Sequence, residues 1–228
     1  MTRLSDELRA AAADVWEAQH RHPFVTGIGD GSLELDRFRF WLRQDYLFLI
    51  EYVRLFAFGA ARAPDHDTMR RFVELARSTL EDEMELHRSY AGQFGISIEE
   101  LEREAMAPTT RGYTDFLVRT AATGEFAELL AALLPCMWGY SEVGQRLAEG
   151  DRPADERYAK WIEMYASEDF AELAAWCRKL TDRAGEGLSP GSRRRVFDAF
   201  VTSSRYELAF WEMAWSGESW TGSEAQRS

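Results

Sequence analysis

Residues 40–53 read FWLRQDYLFLIEYV. Trp41, Leu42, Phe48 and Leu49 stand three and four places on either side of Asp45, the spacing that gathers side chains on one face of an α-helix. Strict alternation bounded by turn residues, which would signal a strand, is hard to find here or anywhere else in the chain. The chain therefore reads as all-α. Carried outward, the same rule predicts helices over about 5–20, 35–61, 67 to the mid-90s, 126–149, 155–165, 168–184 and 190–215, with others opening after Ser97 and at Pro108. Local signals punctuate them: Gly95 supplies a stop, Ser97 and Glu100 have the spacing of a capping box, and Ser167 is an N-cap followed by acids. Connections are short, so a compact bundle is expected and not a solenoid.

With 228 residues, 46% of them hydrophobic, the chain can build one sizeable core. No linker divides it, so a single domain is expected over 1–220, followed by a polar tail at 221–228. The net charge of −12 argues against a nucleic-acid partner or an anionic membrane, and the run Arg193-Arg194-Arg195 sits in a helical pattern as a solvated face. Two cysteines, Cys136 and Cys177, are too few for a disulfide framework or a Cys-rich zinc site and suit a reducing cytoplasm. The first twenty residues carry acids throughout and hold no uninterrupted apolar stretch, so neither a signal peptide nor a membrane span is expected.

In a helical core the informative residues are polar groups on apolar faces, because burying one unpaired costs about 1–3 kcal/mol. Three helices show such an intrusion. Asp45 is the first. Cys136 is the second, in LLPCMWGYSEVG (133–144), with Pro135 before it to bend or loosen the helix and Tyr140 one turn on. Glu207 is the third, with Ser203 one turn earlier and Phe210 and Trp211 one turn later. Each has an ordinary reading: an inert core thiol, an aspartate answering Arg43 or Arg54, a glutamate facing solvent. Together, two acids and a thiol with phenols nearby suit nucleophilic chemistry on an uncharged aromatic ring. A thiol of reference pKa about 8.5 needs a base. Burial would raise a carboxylate toward neutrality, which fits Glu207 to take the thiol proton and return it to a leaving group.

The segments FWLRQDYLFL (40–49), EDEMELHRSY (81–90), APTTRGYTDFL (107–117), AALLPCMWGYSEVG (131–144), KWIEMYASEDF (160–170) and SSRYELAFWEMAW (203–215), in that order, resemble the TenA family, also called thiaminase II or aminopyrimidine aminohydrolase, in its cysteine-bearing branch. The resemblance implies a heme-oxygenase-like helical bundle without heme, a homotetramer, and no metal or organic cofactor. It also implies a cytoplasmic enzyme of thiamin salvage that hydrolyses 4-amino-5-aminomethyl-2-methylpyrimidine to the hydroxymethyl pyrimidine and ammonia, and cleaves thiamin more slowly. Carried over, Cys136 is the nucleophile and Glu207 the acid/base. Asp45 holds the ring's amino group and adjacent nitrogen, Tyr140 orients Glu207, and Tyr113, Tyr165 and Phe210 line the pocket. Two positions depart from the pattern. Phe48 replaces a tyrosine of many relatives, removing a hydroxyl near the thiol or ring, and Gly139, where bulkier residues are common, is expected to permit close helix packing.

Two rivals stand beside this reading. Glu83 and His87, one turn apart, suggest a di-iron oxidase of the same fold. The chain has only four histidines, however, and lacks the paired Glu-x-x-His motifs such a bundle requires, so a structural pairing is the better account. The other rival is a non-catalytic pyrimidine-binding protein. Cys177 is expected to be a bystander.

Overall fold

The computed structural model describes residues 2–221, the side chains of Asp82, Glu83 and Leu86 excepted; the expected polar tail lies outside the described residues from 222 onward. Among the described residues there are α-helices and one π-helical turn, and no strand. No helix among them is long and apolar enough to cross a membrane.

The long helices lie close to where periodicity put them: α4 spans Leu35–Arg62, α8 Pro108–Thr123, α9 Phe126–Ala148, α10 Glu156–Ala166, α11 Glu168–Ala184 and α12 Pro190–Ser216. Their ends follow side-chain chemistry. Ser167 accepts the Phe170 amide and starts α11, while Ser97 and Glu100 close the capping box of the short helix α7, Ile98–Arg103. The expected first helix is instead two, α1 Leu4–Ala11 and α2 Ala13–His20, parted at Ala12 with φ −110° and ψ 15°. The break turns α2 so that the buried Trp16 indole donates to Ser204 Oγ at 2.9 Å. Helix α3, Pro23–Asp30, was not expected, although proline in its first turn and Gly31 at φ 75° are the usual start and stop signals. The expected helix from Asp67 is α5 His66–Ser78, a π-helical turn Thr79–Glu83, and α6 Met84–Gln93.

Helix α9 is buried without interruption from Ala127 to Pro135, the pattern of a segment enclosed on every side, and the helix packs against α4, α8, α10, α11 and α12. Leu129, Leu130, Leu133 and Leu134 are all at most 1% exposed. Each such side chain contributes about 1.5–3 kcal/mol on burial, so this helix offsets the cost of a few polar groups held in the same core. Helix α4 lies across it, packed on α5 and α8. Close approach is decided by Gly144, where a Cβ would stand 2.5 Å from the Tyr165 carbonyl carbon. That contact draws the end of α10 against α9 and carries Tyr165 inward. Gly139 does not have the packing role expected of it, because a Cβ there would meet nothing within 4 Å.

Candidate active site

Between α4, α5, α9, α10 and α11 lies a cavity of about 290 Å³, the lower end of the range for small-molecule sites. Asp45, Phe48, Tyr52, Cys136, Tyr140 and Tyr165 are on its wall. A larger open cleft of about 600 Å³ between α8 and α12 is walled by charged side chains, Asp115, Arg119, Arg195 and Asp198 among them, and does not include Cys136.

Cys136 is half-buried at this wall. Helix α9 continues through Pro135, which has no amide proton to give the turn before it. Two carbonyls of that turn carry side-chain donors: Ser203 Oγ donates to the Ala132 carbonyl at 2.6 Å, and Tyr52 Oη to the Leu133 carbonyl at 3.1 Å. The Tyr52 phenol is also a hydrogen-bond neighbour of Cys136, and burial pushes its pKa well above the ordinary value. Phe48 stacks on Tyr52 with ring centroids 5.2 Å apart. A hydroxyl from the next turn of the same helix thus stands near the thiol, beside Phe48, which has none.

Glu207 does not face solvent; it is 2% exposed. Its Oε1 lies 2.5 Å from Tyr113 Oη, which in turn is 2.9 Å from Ser203 Oγ. Burial pushes the Glu207 carboxyl up to about 7, against hydrogen bonds from Tyr113 and Cys136 that favour its ionised form. This is the near-neutral carboxylate that burial was expected to produce, within hydrogen-bonding reach of the thiol. The phenol hydrogen-bonded to it is Tyr113, where the resemblance named Tyr140. Tyr140 sits instead on the cavity wall, its hydroxyl held well above its ordinary pKa by burial and by the nearby Asp45 and Glu207 carboxyls.

Asp45 is 7% exposed. Neither arginine suggested for it is turned its way: Arg43 pairs with Glu104 at 2.9 Å, and Arg54 with Glu51. Its neighbour is His87, whose Nδ1 is 3.7 Å from Asp45 Oδ2 and whose Nε2 donates to the Leu42 carbonyl at 2.8 Å. Burial lowers the His87 imidazole to about 4, so it is neutral beside the carboxyl. The Glu83 side chain, proposed as its metal-binding companion, lies outside the described residues.

Two residues expected to line the pocket stand behind its wall. Tyr113 is 1% and Phe210 3% exposed, and neither is on the cavity surface because the Phe48 ring covers them, at centroid distances of 5.2 and 5.8 Å. The reading also missed parts of the wall. Tyr52 is seven places after Asp45 on the same helical face, a spacing that could have found it. Ser78 and Thr79 enter at the junction of α5 with the π-helical turn, for which the sequence carries no comparable signal.

Residues 9–217 match the model of the TENA/THI-4/PQQC family. The aminopyrimidine aminohydrolase of Halalkalibacterium halodurans is 45% identical over 210 residues, covering 92% of this chain and 94% of that protein. The Bacillus subtilis protein of the same name is 41% identical over 221 residues, with 97% and 93% covered. The solved structure of the TenA homologue from P. horikoshii OT3 superposes with a TM-score of 0.90 at 31% identity, covering 95% of this chain and all of that one. With an all-α fold, a cavity carrying Asp45 and Cys136, and similarity running from end to end, the chain belongs to the TENA/THI-4/PQQC family.

Proposed function

We propose that this protein is an aminopyrimidine aminohydrolase of thiamin metabolism, converting 4-amino-5-aminomethyl-2-methylpyrimidine and water to the 5-hydroxymethyl pyrimidine and ammonia. The observation that carries the reading is the placement of Glu207, a buried carboxyl raised to about 7, within hydrogen-bonding reach of a cysteine on the wall of a cavity sized for one heterocycle. The names of the two relatives at 41–45% identity supply the substrate class.

The chemistry follows from the groups present. Asp45 pairs with the ring's amino group and neighbouring nitrogen, and Phe48 and Tyr165 present aromatic surface to its faces. Glu207 takes the Cys136 proton and the thiolate adds to the ring, converting an electron-poor heterocycle into one able to push electrons toward the exocyclic carbon. The C–N bond there breaks as Glu207 returns the proton to the leaving nitrogen. Water then adds at that carbon, losing a proton to Glu207, and expulsion of the thiolate restores the aromatic ring. A carboxyl near neutrality serves both directions, since its two protonation states are close in free energy at working pH. Slow cleavage of thiamin, a homotetrameric assembly and a cytoplasmic location belong to the same proposal.

The test is ammonia release from the aminomethyl pyrimidine by the wild type and by Cys136→Ala. Equal rates would remove the nucleophile assignment. Tight binding of the pyrimidine by the wild type with no ammonia released would favour a binding protein.

A further inference from the structure

Behind the cavity wall four groups stand in line: the Glu207 carboxyl, the Tyr113 hydroxyl, the Ser203 hydroxyl and the Ala132 carbonyl. The direction of proton donation along this line follows from the group that has no choice. A backbone carbonyl accepts and never donates, so the 2.6 Å contact between Ser203 Oγ and Ala132 O uses the serine's one proton. Ser203 can then meet Tyr113 only as an acceptor, and the 2.9 Å contact between them uses the tyrosine's proton. Tyr113 has none left for Glu207. The 2.5 Å contact between Tyr113 Oη and Glu207 Oε1 is therefore compatible with both of the other contacts only while the carboxyl carries a proton. In the reverse arrangement Tyr113 donates to an ionised Glu207, and Ser203 has one donor for two acceptors. One of its two contacts would then set lone pair against lone pair among buried side chains, where an unmade hydrogen bond is costly.

We propose that Ser203 is a positioning residue: by giving its proton to the Ala132 carbonyl it draws the Tyr113 hydroxyl toward itself and raises the proton affinity of Glu207, so that the carboxylate takes the Cys136 proton and the acid form persists until it protonates the leaving nitrogen. The purpose of this device rests on the hydrolase reading, while its direction rests on the three contacts alone. The titratable groups facing Glu207 are Tyr113 on α8 and Cys136 and Tyr140 on α9, with Asp45 on α4 beyond Tyr140. None of them carries positive charge, so nothing in this set offsets the serine's bias toward the neutral carboxyl.

The experiment follows Glu207 by infrared spectroscopy across pH, using the protonated-carboxyl band that disappears in Glu207→Gln. This readout needs no turnover, so it can succeed or fail independently of the assigned reaction. Ser203→Ala removes the acceptor while placing a strong helix former in α12. Tyr113 then turns to Glu207, and the midpoint of the band falls by about one pH unit, with the matching limb of the kcat/KM profile for ammonia release moving equally. Ser204→Ala, which removes the neighbouring buried hydroxyl bound to Trp16, leaves the midpoint in place. An unmoved midpoint in Ser203→Ala, or an equal shift in Ser204→Ala, would overturn the proposal. Absence of ammonia release by the wild type with the band shifting as expected would instead remove the hydrolase reading and leave the positioning role intact.

Discussion

Each of the two cysteines sits on a long helix in an apolar stretch of sequence, and the core treats them differently. Cys177 on α11 is 1% exposed, and burial pushes its thiol up to about 12 even though the Arg71 charge pulls the other way. Cys136 on α9 is half-buried, opens onto the cavity, and has the Glu207 carboxyl and the Tyr52 phenol as hydrogen-bonding neighbours. A cation near the sealed thiol loses to desolvation. The thiol proposed as the nucleophile is the one with a proton acceptor in reach and an opening onto the cavity.

The largest effect should come from exchanging the two. Cys136→Ala is expected to lower kcat for ammonia release by about a thousandfold or more, as loss of a nucleophile does, while Cys177→Ala keeps it within about twofold; comparable losses in both would break the distinction. Alkylation of the native protein with iodoacetamide, read by mass spectrometry, should modify Cys136 first for the same reason.

Next in size is Glu207→Gln, which leaves the shape of the pocket and removes the proton carrier. A drop of about 10²–10⁴ in kcat is expected, the usual worth of general acid–base catalysis. The same variant sharpens the energetics. An acid at about 7 in the folded state and 4.5 in the unfolded one adds stability at low pH, and that contribution is lost as pH rises from 4.5 through 7, about 3 kcal/mol in all. His87, at about 4 folded against 6.5 unfolded, works in the opposite sense: its stability is lost as pH falls from 6.5 through 4. The two slopes oppose each other across most of that range in the wild type. Denaturant titrations should find Glu207→Gln more stable than the wild type at pH 8, with the gap closing toward pH 4.5 and the rising slope of His87 exposed. A variant less stable than the wild type at pH 8 would contradict the burial cost.

The smallest effect is that of Tyr52→Phe. It removes one hydroxyl from the Leu133 carbonyl and from the neighbourhood of Cys136, for a loss of about 1 kcal/mol in stability and a several-fold fall in kcat. An unchanged rate would show that the thiol does not use this phenol.

Much of the site was visible before the fold was known, because its members are polar residues interrupting apolar helical faces. Asp45, Cys136 and Glu207 stand out on that ground alone, and the roles proposed for them came from resemblance to a family. What escaped was relative depth. Tyr113 and Phe210 differ from Tyr140 and Tyr165 only in which side of the Phe48 ring they occupy, and no spacing along a helix records that. The hydroxyl hydrogen-bonded to Glu207 lies on α8, whereas the resemblance named one on the helix of Cys136. Gly139 and Gly144, five residues apart on one helix, were separable only by what faces them.

Helical periodicity, capping residues and the stops at glycine are encoded within a few neighbours, so the sequence alone determined the α-class, most helix limits and the list of polar residues that a core would have to accommodate. Which of those residues meet, which thiol is open and which way the proton on Glu207 is held depend on groups brought together from α4, α8, α9 and α12. Distances between helices arise from packing many side chains at once, and with them come the burial and hydrogen-bond partners that set proton affinity. Those quantities exist only once the tertiary structure is formed.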